Sequence, residues 1–133
     1  MAKKNHVVAG ARVAYSAREI SNYDDIIDVR DIIARIEELE DTIEDRQELA
    51  RLQSLMDDMK GYGGDEQWRG DWYPITLIRD THFVQAMQEL CEDIGDFPNG
   101  IPSYYVIDWE ATADNLRADY SAVELDAVTY WYR

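Results

Sequence analysis
The sequence predicts an α+β protein, with an acidic helical hairpin or coiled-coil segment followed by a small antiparallel sheet packed with two helices. Three observations carry this. Residues 29–59 hold two apolar sets at helical spacing, separated by a break in phase. Residues 73–78 and 120–132 are rich in β-branched and aromatic side chains. The chain is 46% hydrophobic with nine Tyr and four Trp, which calls for a core rather than a disordered acidic tail.

Residues 1–22 form a basic N-terminal arm. Val7, Val8, Val13 and Tyr15 fit a short strand, or the arm lies on the acidic body; both readings stand. Residues 23–60 form the hairpin. Asp28 precedes Val29 as a helix cap, with Asp31 three residues on. Ile32, Ile33, Ile36, Leu39 and Ile43 follow at helical spacing, then Leu49, Leu52, Leu55, Met56 and Met59. The two sets share no phase, and the break falls between Asp41 and Arg46, where Thr42 can cap a new start. A single long helix with a stutter is the alternative. Either form leaves an apolar stripe (Ile36, Leu39, Leu52 and Leu55) that must pack on the body or on a second copy, so a homodimer is expected.

Residues 61–133 form the α+β unit. Gly61 to Trp72 is a Gly- and Trp-rich linker. Tyr73 to Ile78 is a strand, and Asp80 can cap a helix carrying Phe83, Ala86, Met87, Leu90 and Ile94. A loop with Pro98, Gly100 and Pro102 follows, then an extended piece at Tyr105 to Ile107. Asp108 caps a last helix with Trp109, Ala113 and Leu116. Tyr120 to Leu125 and Val128 to Tyr132 make a terminal β-hairpin around Asp126 and Ala127.

The chemistry of catalysis is thinly represented. His6 and His82 have no evident partner, and Cys91 lies near an apolar face beside Leu90. A pocket near His82, Trp72 and Asp108 is the enzyme reading. Gly61-Tyr62-Gly63-Gly64 lacks phosphate-loop spacing and follows a helix, so it reads as a helix stop. Asp24, Asp25, Asp28 and Asp31 lack calcium-loop spacing. One cysteine excludes an intramolecular disulfide framework and a Cys-rich zinc site. No catalytic residue, metal or cofactor is expected.

The charge is the informative feature. There are 28 Asp and Glu against 13 Lys and Arg, a net charge of −15. Residues 1–20 carry +3, residues 24–58 carry −9 and residues 61–133 carry −10. This argues against direct nucleic-acid binding and against anionic membranes. No apolar run approaches a membrane span and no signal peptide is evident, so a cytoplasmic protein is expected. A cationic protein partner fits the balance. Duplex DNA presents about one charge per 110 Å² of a cylinder of roughly 10 Å radius. Size scaling gives this chain about 7,200 Å² of surface, or about one acid per 260 Å² for its 28 acids. Gathered on half the surface, the acids would approach the density of DNA.

The C-terminal residues then add a resemblance. Tyr105-Val106-Ile107-Asp108-Trp109-Glu110-Ala111, Leu116, Ala118-Asp119-Tyr120 and Thr129-Tyr130-Trp131-Tyr132-Arg133 resemble the end of ArdA-type antirestriction proteins. Leu77-Ile78-Arg79-Asp80, Phe83, Glu89-Leu90, Glu92-Asp93-Ile94-Gly95 and Val29-Arg30-Asp31-Ile32-Ile33 with Arg35-Ile36-Glu37-Glu38-Leu39-Glu40 resemble small acidic phage-encoded proteins. Together they span residues 28–133. The antirestriction resemblance implies a dimeric, non-enzymatic DNA mimic that fills the DNA groove of a restriction enzyme.

The expectation is therefore a phage or mobile-element inhibitor of a host defence nuclease, restriction enzyme or CRISPR effector, in the host cytoplasm. Its partner is a basic nucleic-acid-binding protein. The partner-binding acids are Glu37, Glu38, Asp41, Glu44, Asp45 and Glu48 first, then Glu89, Glu92, Asp93 and Asp96. Their role is to accept hydrogen bonds from Arg and Lys. The alternative is an interaction and dimerisation module whose charge only confers solubility.

Overall fold
A computed structural model describes residues 15–95, 102 and 104–133. Strand β1 (Ile26–Asp28) leads directly into helix α1 (Val29–Glu40), and α2 (Arg46–Met59) follows after a short turn. A two-stranded hairpin, β2 (Asp65–Trp68) and β3 (Asp71–Tyr73), comes next. Then come β4 (Thr76–Arg79), a 3-10 turn (Asp80–His82), α3 (Phe83–Asp93), α4 (Trp109–Arg117), β5 (Ser121–Leu125) and β6 (Val128–Tyr132). The main sheet runs β1-β4-β6-β5, antiparallel throughout.

The α+β class holds, and alternation along the strands explains its layers. Leu77 of β4 and Tyr130 and Tyr132 of β6 face one side, where they join Ile32, Ile36, Leu39, Leu52, Leu55 and Met56 of α1 and α2. Ile78 and Trp131 face the other side and pack on Phe83, Met87 and Ala113 of α3 and α4. One helix pair therefore covers each face of the sheet.

Local signals set most boundaries. Asp28 caps α1 by accepting the Arg30 N–H at 2.9 Å. Arg30 in turn holds the Asp28 carboxyl below the usual carboxylate range. Asp108 caps α4 by accepting the Ala111 N–H at 3.0 Å. The phase break is a turn, so the hairpin forms and the single helix does not. Thr42 does not cap α2, however. Its hydroxyl accepts the Glu44 N–H within the turn, and α2 starts after Asp45, which sits at φ 55°. Ile43 is left 81% exposed at this turn rather than on the apolar stripe.

Four further expectations are corrected. The linker at 61–72 contains the β2–β3 hairpin, which turns at Arg69 and Gly70, both with positive φ. The strand expected at 73–78 is split, since Pro74 has no N–H to give a ladder. Asp80 does not cap α3; it opens the 3-10 turn and accepts the Trp131 indole N–H at 2.8 Å. Tyr105 to Ile107 joins no sheet and stands exposed.

The apolar stripe expected to pack on the body or on a second copy packs on the body. Ile36, Leu39 and Leu52 are 0% exposed and Leu55 is 2% exposed, all inside the chain's own core against the sheet. The stripe is covered by Ile20, Ile27, Leu77, Val123 and Tyr130 of the same chain, so these four side chains offer no seam to a second copy. Residues on both sides of the boundary drawn near residue 60 contribute to this core. Of the arm, Tyr15 to Asn22 lies on the body, with Ile20 1% exposed in the core. Residues 1–14, and the strand reading at Val7, Val8 and Val13, lie outside the described residues. Among the described residues no helix is long and apolar enough to cross a membrane.

The terminal hairpin carries local strain. Asp126 and Ala127 take φ of 50° and 67°, the two left-handed positions of a type I′ turn. An alanine there costs about 1–2 kcal/mol relative to glycine in the folded state. Ala127→Gly is expected to stabilise the protein by about 0.5–1 kcal/mol after the greater chain entropy of glycine is counted. Urea denaturation of the two proteins checks this.

Candidate functional site: the acidic surfaces
The structure separates nine of the ten predicted acids into two groups on opposite layers. Glu37, Glu38, Asp41, Glu44, Asp45 and Glu48 belong to α1, α2 and their turn, on one face of the sheet. Glu89, Glu92 and Asp93 belong to α3, on the other. Asp96 lies outside the described residues.

The first group is largely engaged within the chain. Glu48 receives Arg35 through two hydrogen bonds, at 2.6 and 3.0 Å, and their side chains are only 17% and 9% exposed. That bond holds the Arg35 guanidinium above its ordinary pKa. Tyr15 lies 4.4 Å from the Arg35 guanidinium carbon and donates its hydroxyl to Asp45 at 2.9 Å. Burial first, and the Asp45 carboxylate second, push the Tyr15 phenol up to about 12. Glu38 accepts the Ser16 N–H and hydroxyl, both at 2.9 Å, and the Ala17 N–H. Glu37 accepts the Trp68 indole N–H at 3.1 Å. Asp41 and Glu44 remain exposed at the turn. These carboxylates clamp residues 15–17 and the β2–β3 hairpin onto the helix pair.

The second group is different. Helix α3 contains no Lys or Arg, and Glu89, Glu92 and Asp93 are all exposed on it. Glu89 and Glu92 each accept only a side-chain amide one turn back, from Gln85 and Gln88. The neighbouring α4 and its C-terminal flank add exposed Glu110, Asp114 and Asp119. Arg117 is the one Lys or Arg on these two helices, and at the layer's edge the Arg133 guanidinium carbon lies 5.9 Å from the Tyr120 ring centre. Arg117 pairs with Asp114 and turns inward, its guanidinium carbon 4.6 Å from the Phe83 ring centre and 5.4 Å from that of Trp131. The two helices and this flank thus show six acids to solvent, with Arg117 drawn under them.

This arrangement opposes helix stability. Three acids crowd the last turn and a half of α3 and no base is there, although the helix dipole favours cations at that end. Apolar groups flank the acids. Leu90 and Ile94, expected on the apolar face of α3, are 40% and 65% exposed, and Tyr104 and Val106 before α4 are 76% and 91% exposed.

Elsewhere bases are consumed. Arg18, Arg30, Arg51, Lys60 and Arg69 pair with Asp24, Asp28, Asp126, Asp71 and Glu40. The chain exposes 8526 Å², so its 28 acids average about one per 300 Å². That is sparser than the scaling gave, and the two predicted groups do not share one side.

The residues of the enzyme reading are each placed in a different setting. His82 stands 3.9 Å from Asp25, Trp72 sits 52% exposed on β3, and Asp108 is the α4 cap. Cys91 is buried. Among the described residues no group of three or more His, Cys, Asp or Glu could hold a metal ion. Set against known proteins, the chain matches no family model, no curated protein and no solved structure.

Proposed function
We propose that this protein is a non-enzymatic inhibitor that offers its α3–α4 face to the cationic nucleic-acid groove of a host defence nuclease, in the host cytoplasm. The observation that carries this reading is the single sign of that face. Glu89, Glu92, Asp93, Glu110 and Asp119 have no cationic partner among the described residues, and Arg117 is turned inward. Such a face supplies acceptors for Arg and Lys and steers a positive partner at long range. The resemblance to antirestriction proteins points the same way. The exposed Tyr104 to Ile107 run beside α4 would add apolar contact around the charged contacts.

The test is nuclease inhibition across a panel of purified restriction and CRISPR-effector enzymes. The variant Glu89→Lys, Glu92→Lys, Asp93→Lys, Glu110→Lys is expected to inhibit about 100-fold less well, the scale of a few lost charge pairs. A control reversal on the other layer, Glu44→Lys with Asp57→Lys, is expected to cost less than about threefold. Equal inhibition by the four-acid variant and the native protein would leave the charge as a solubility feature, and the protein as an interaction module of another kind.

A further inference from the structure
Among the described residues the main sheet ends on β5, which pairs there only with β6. The two-residue turn makes Leu125 and Val128 a hydrogen-bonded pair. Alternation then puts Val123 and Ser121 in the same class. The backbone N–H and C=O of Ala122 and Glu124 therefore point away from β6, and no other described backbone group bonds to them.

Two carboxylates flank this open edge from opposite sides. Asp58 of α2 borders the depression along β5 from the side of the first helix pair. Val123 and Leu125 face that core, so Glu124 projects to the other side, next to Thr129. Both acids are exposed, and neither has a cationic partner among the described residues.

A free edge is a template for an added strand. Charge selects the occupant. A second copy docking edge to edge would bring Asp58 and Glu124 against their own duplicates, which is unfavourable. An extended segment with adjacent basic residues would send one cation to each side of the sheet and meet a carboxylate there. We propose that the open edge of β5 accepts a basic extended segment of a partner protein as a fifth strand, with Asp58 and Glu124 receiving its Lys or Arg side chains. This goes beyond the α3–α4 reading, because it requires backbone pairing along one edge and no nucleic-acid groove.

The experiment uses the full chain and an octapeptide of Val and Thr with two adjacent lysines, beside twins N-methylated at alternate amides in each register. All three peptides have the same charge, and only the first pairs freely along both edges. Amide exchange followed by NMR is expected to slow at least tenfold at Ala122 and Glu124 under saturating peptide. The twin methylated on the pairing amides is expected to bind at least tenfold more weakly, as is the parent peptide to Asp58→Lys, Glu124→Lys. Equal binding by all three peptides, or unchanged exchange at both amides, would overturn the proposal.

Discussion

Arg35→Ala is expected to destabilise the protein by about 3 kcal/mol. Arg35 is a charged side chain in the core layer, 8% exposed, and it ties α1 to α2 through Glu48. Its guanidinium also lies against the Tyr15 ring and reaches the Ala17 carbonyl at 3.4 Å. Truncation removes three contacts at once and strands the Glu48 carboxylate, which is 17% exposed, without its counter-charge. The effect comes from breaking the pair rather than from the pair's own strength. Arg35→Met combined with Glu48→Leu is accordingly expected to recover most of the loss, because no charge is left behind. Urea midpoints at constant slope measure both variants.

Gly64→Ala is expected to cost a further large amount, about 3 kcal/mol or more. Gly64 holds φ at +59°, and a methyl group there would run into the Tyr73 carbonyl oxygen and the Pro74 Cα. The obstacle is the Tyr73–Pro74 backbone, so no side chain can rotate away. Gly70 is the internal comparison. It has φ +79° with nothing within 4 Å of a built methyl. Gly70→Ala therefore isolates the conformational cost alone, about 1 kcal/mol. The difference between the two melting temperatures reports the close approach of residue 64 to the end of β3, and Gly64→Ala should lower the midpoint by roughly 10 °C.

Particular residues explain how far the sequence could be read. Asp28 and Asp108 announced their helices because a short acidic side chain before an apolar run has few other uses. The broken phase between Leu39 and Leu49 announced a hairpin. The β2–β3 hairpin was illegible because Asp65, Glu66 and Gln67 carry no β-branched or apolar signal; its shape comes from Arg69 and Gly70. The apolar stripe of α1 and α2 was visible, but amphipathicity says only that a face is covered. It does not say whether this chain's sheet or a second copy covers it.

The site was legible as a sum and not as a surface. Counting charge along the chain ranked Glu37 to Glu48 above Glu89 to Asp93, because more acids lie close together in sequence there. Folding reverses the ranking. Arg35 and Trp68, with the backbone and side-chain donors of Tyr15 to Ala17, converge on the first group from separate parts of the chain. Among the described residues no base pairs with the second group; Arg117 is held inward by aromatic rings and Arg133 lies against the Tyr120 ring. The −15 matters less as a total than through where cations fail to reach.

The most direct measurement follows labelled duplex DNA being displaced from a nuclease inhibited in the panel, at 50 and 200 mM salt, alongside the folding stability of each variant. The native protein is expected to displace DNA, with at least tenfold weaker affinity at the higher salt. Glu92→Lys, Asp93→Lys is expected to fold as stably or up to about 1 kcal/mol more stably, since it places cations at the α3 C-terminus. The same variant is expected to displace DNA about tenfold less well. Improved stability with undiminished displacement would contradict the proposal that the α3–α4 face is kept acidic for a cationic partner.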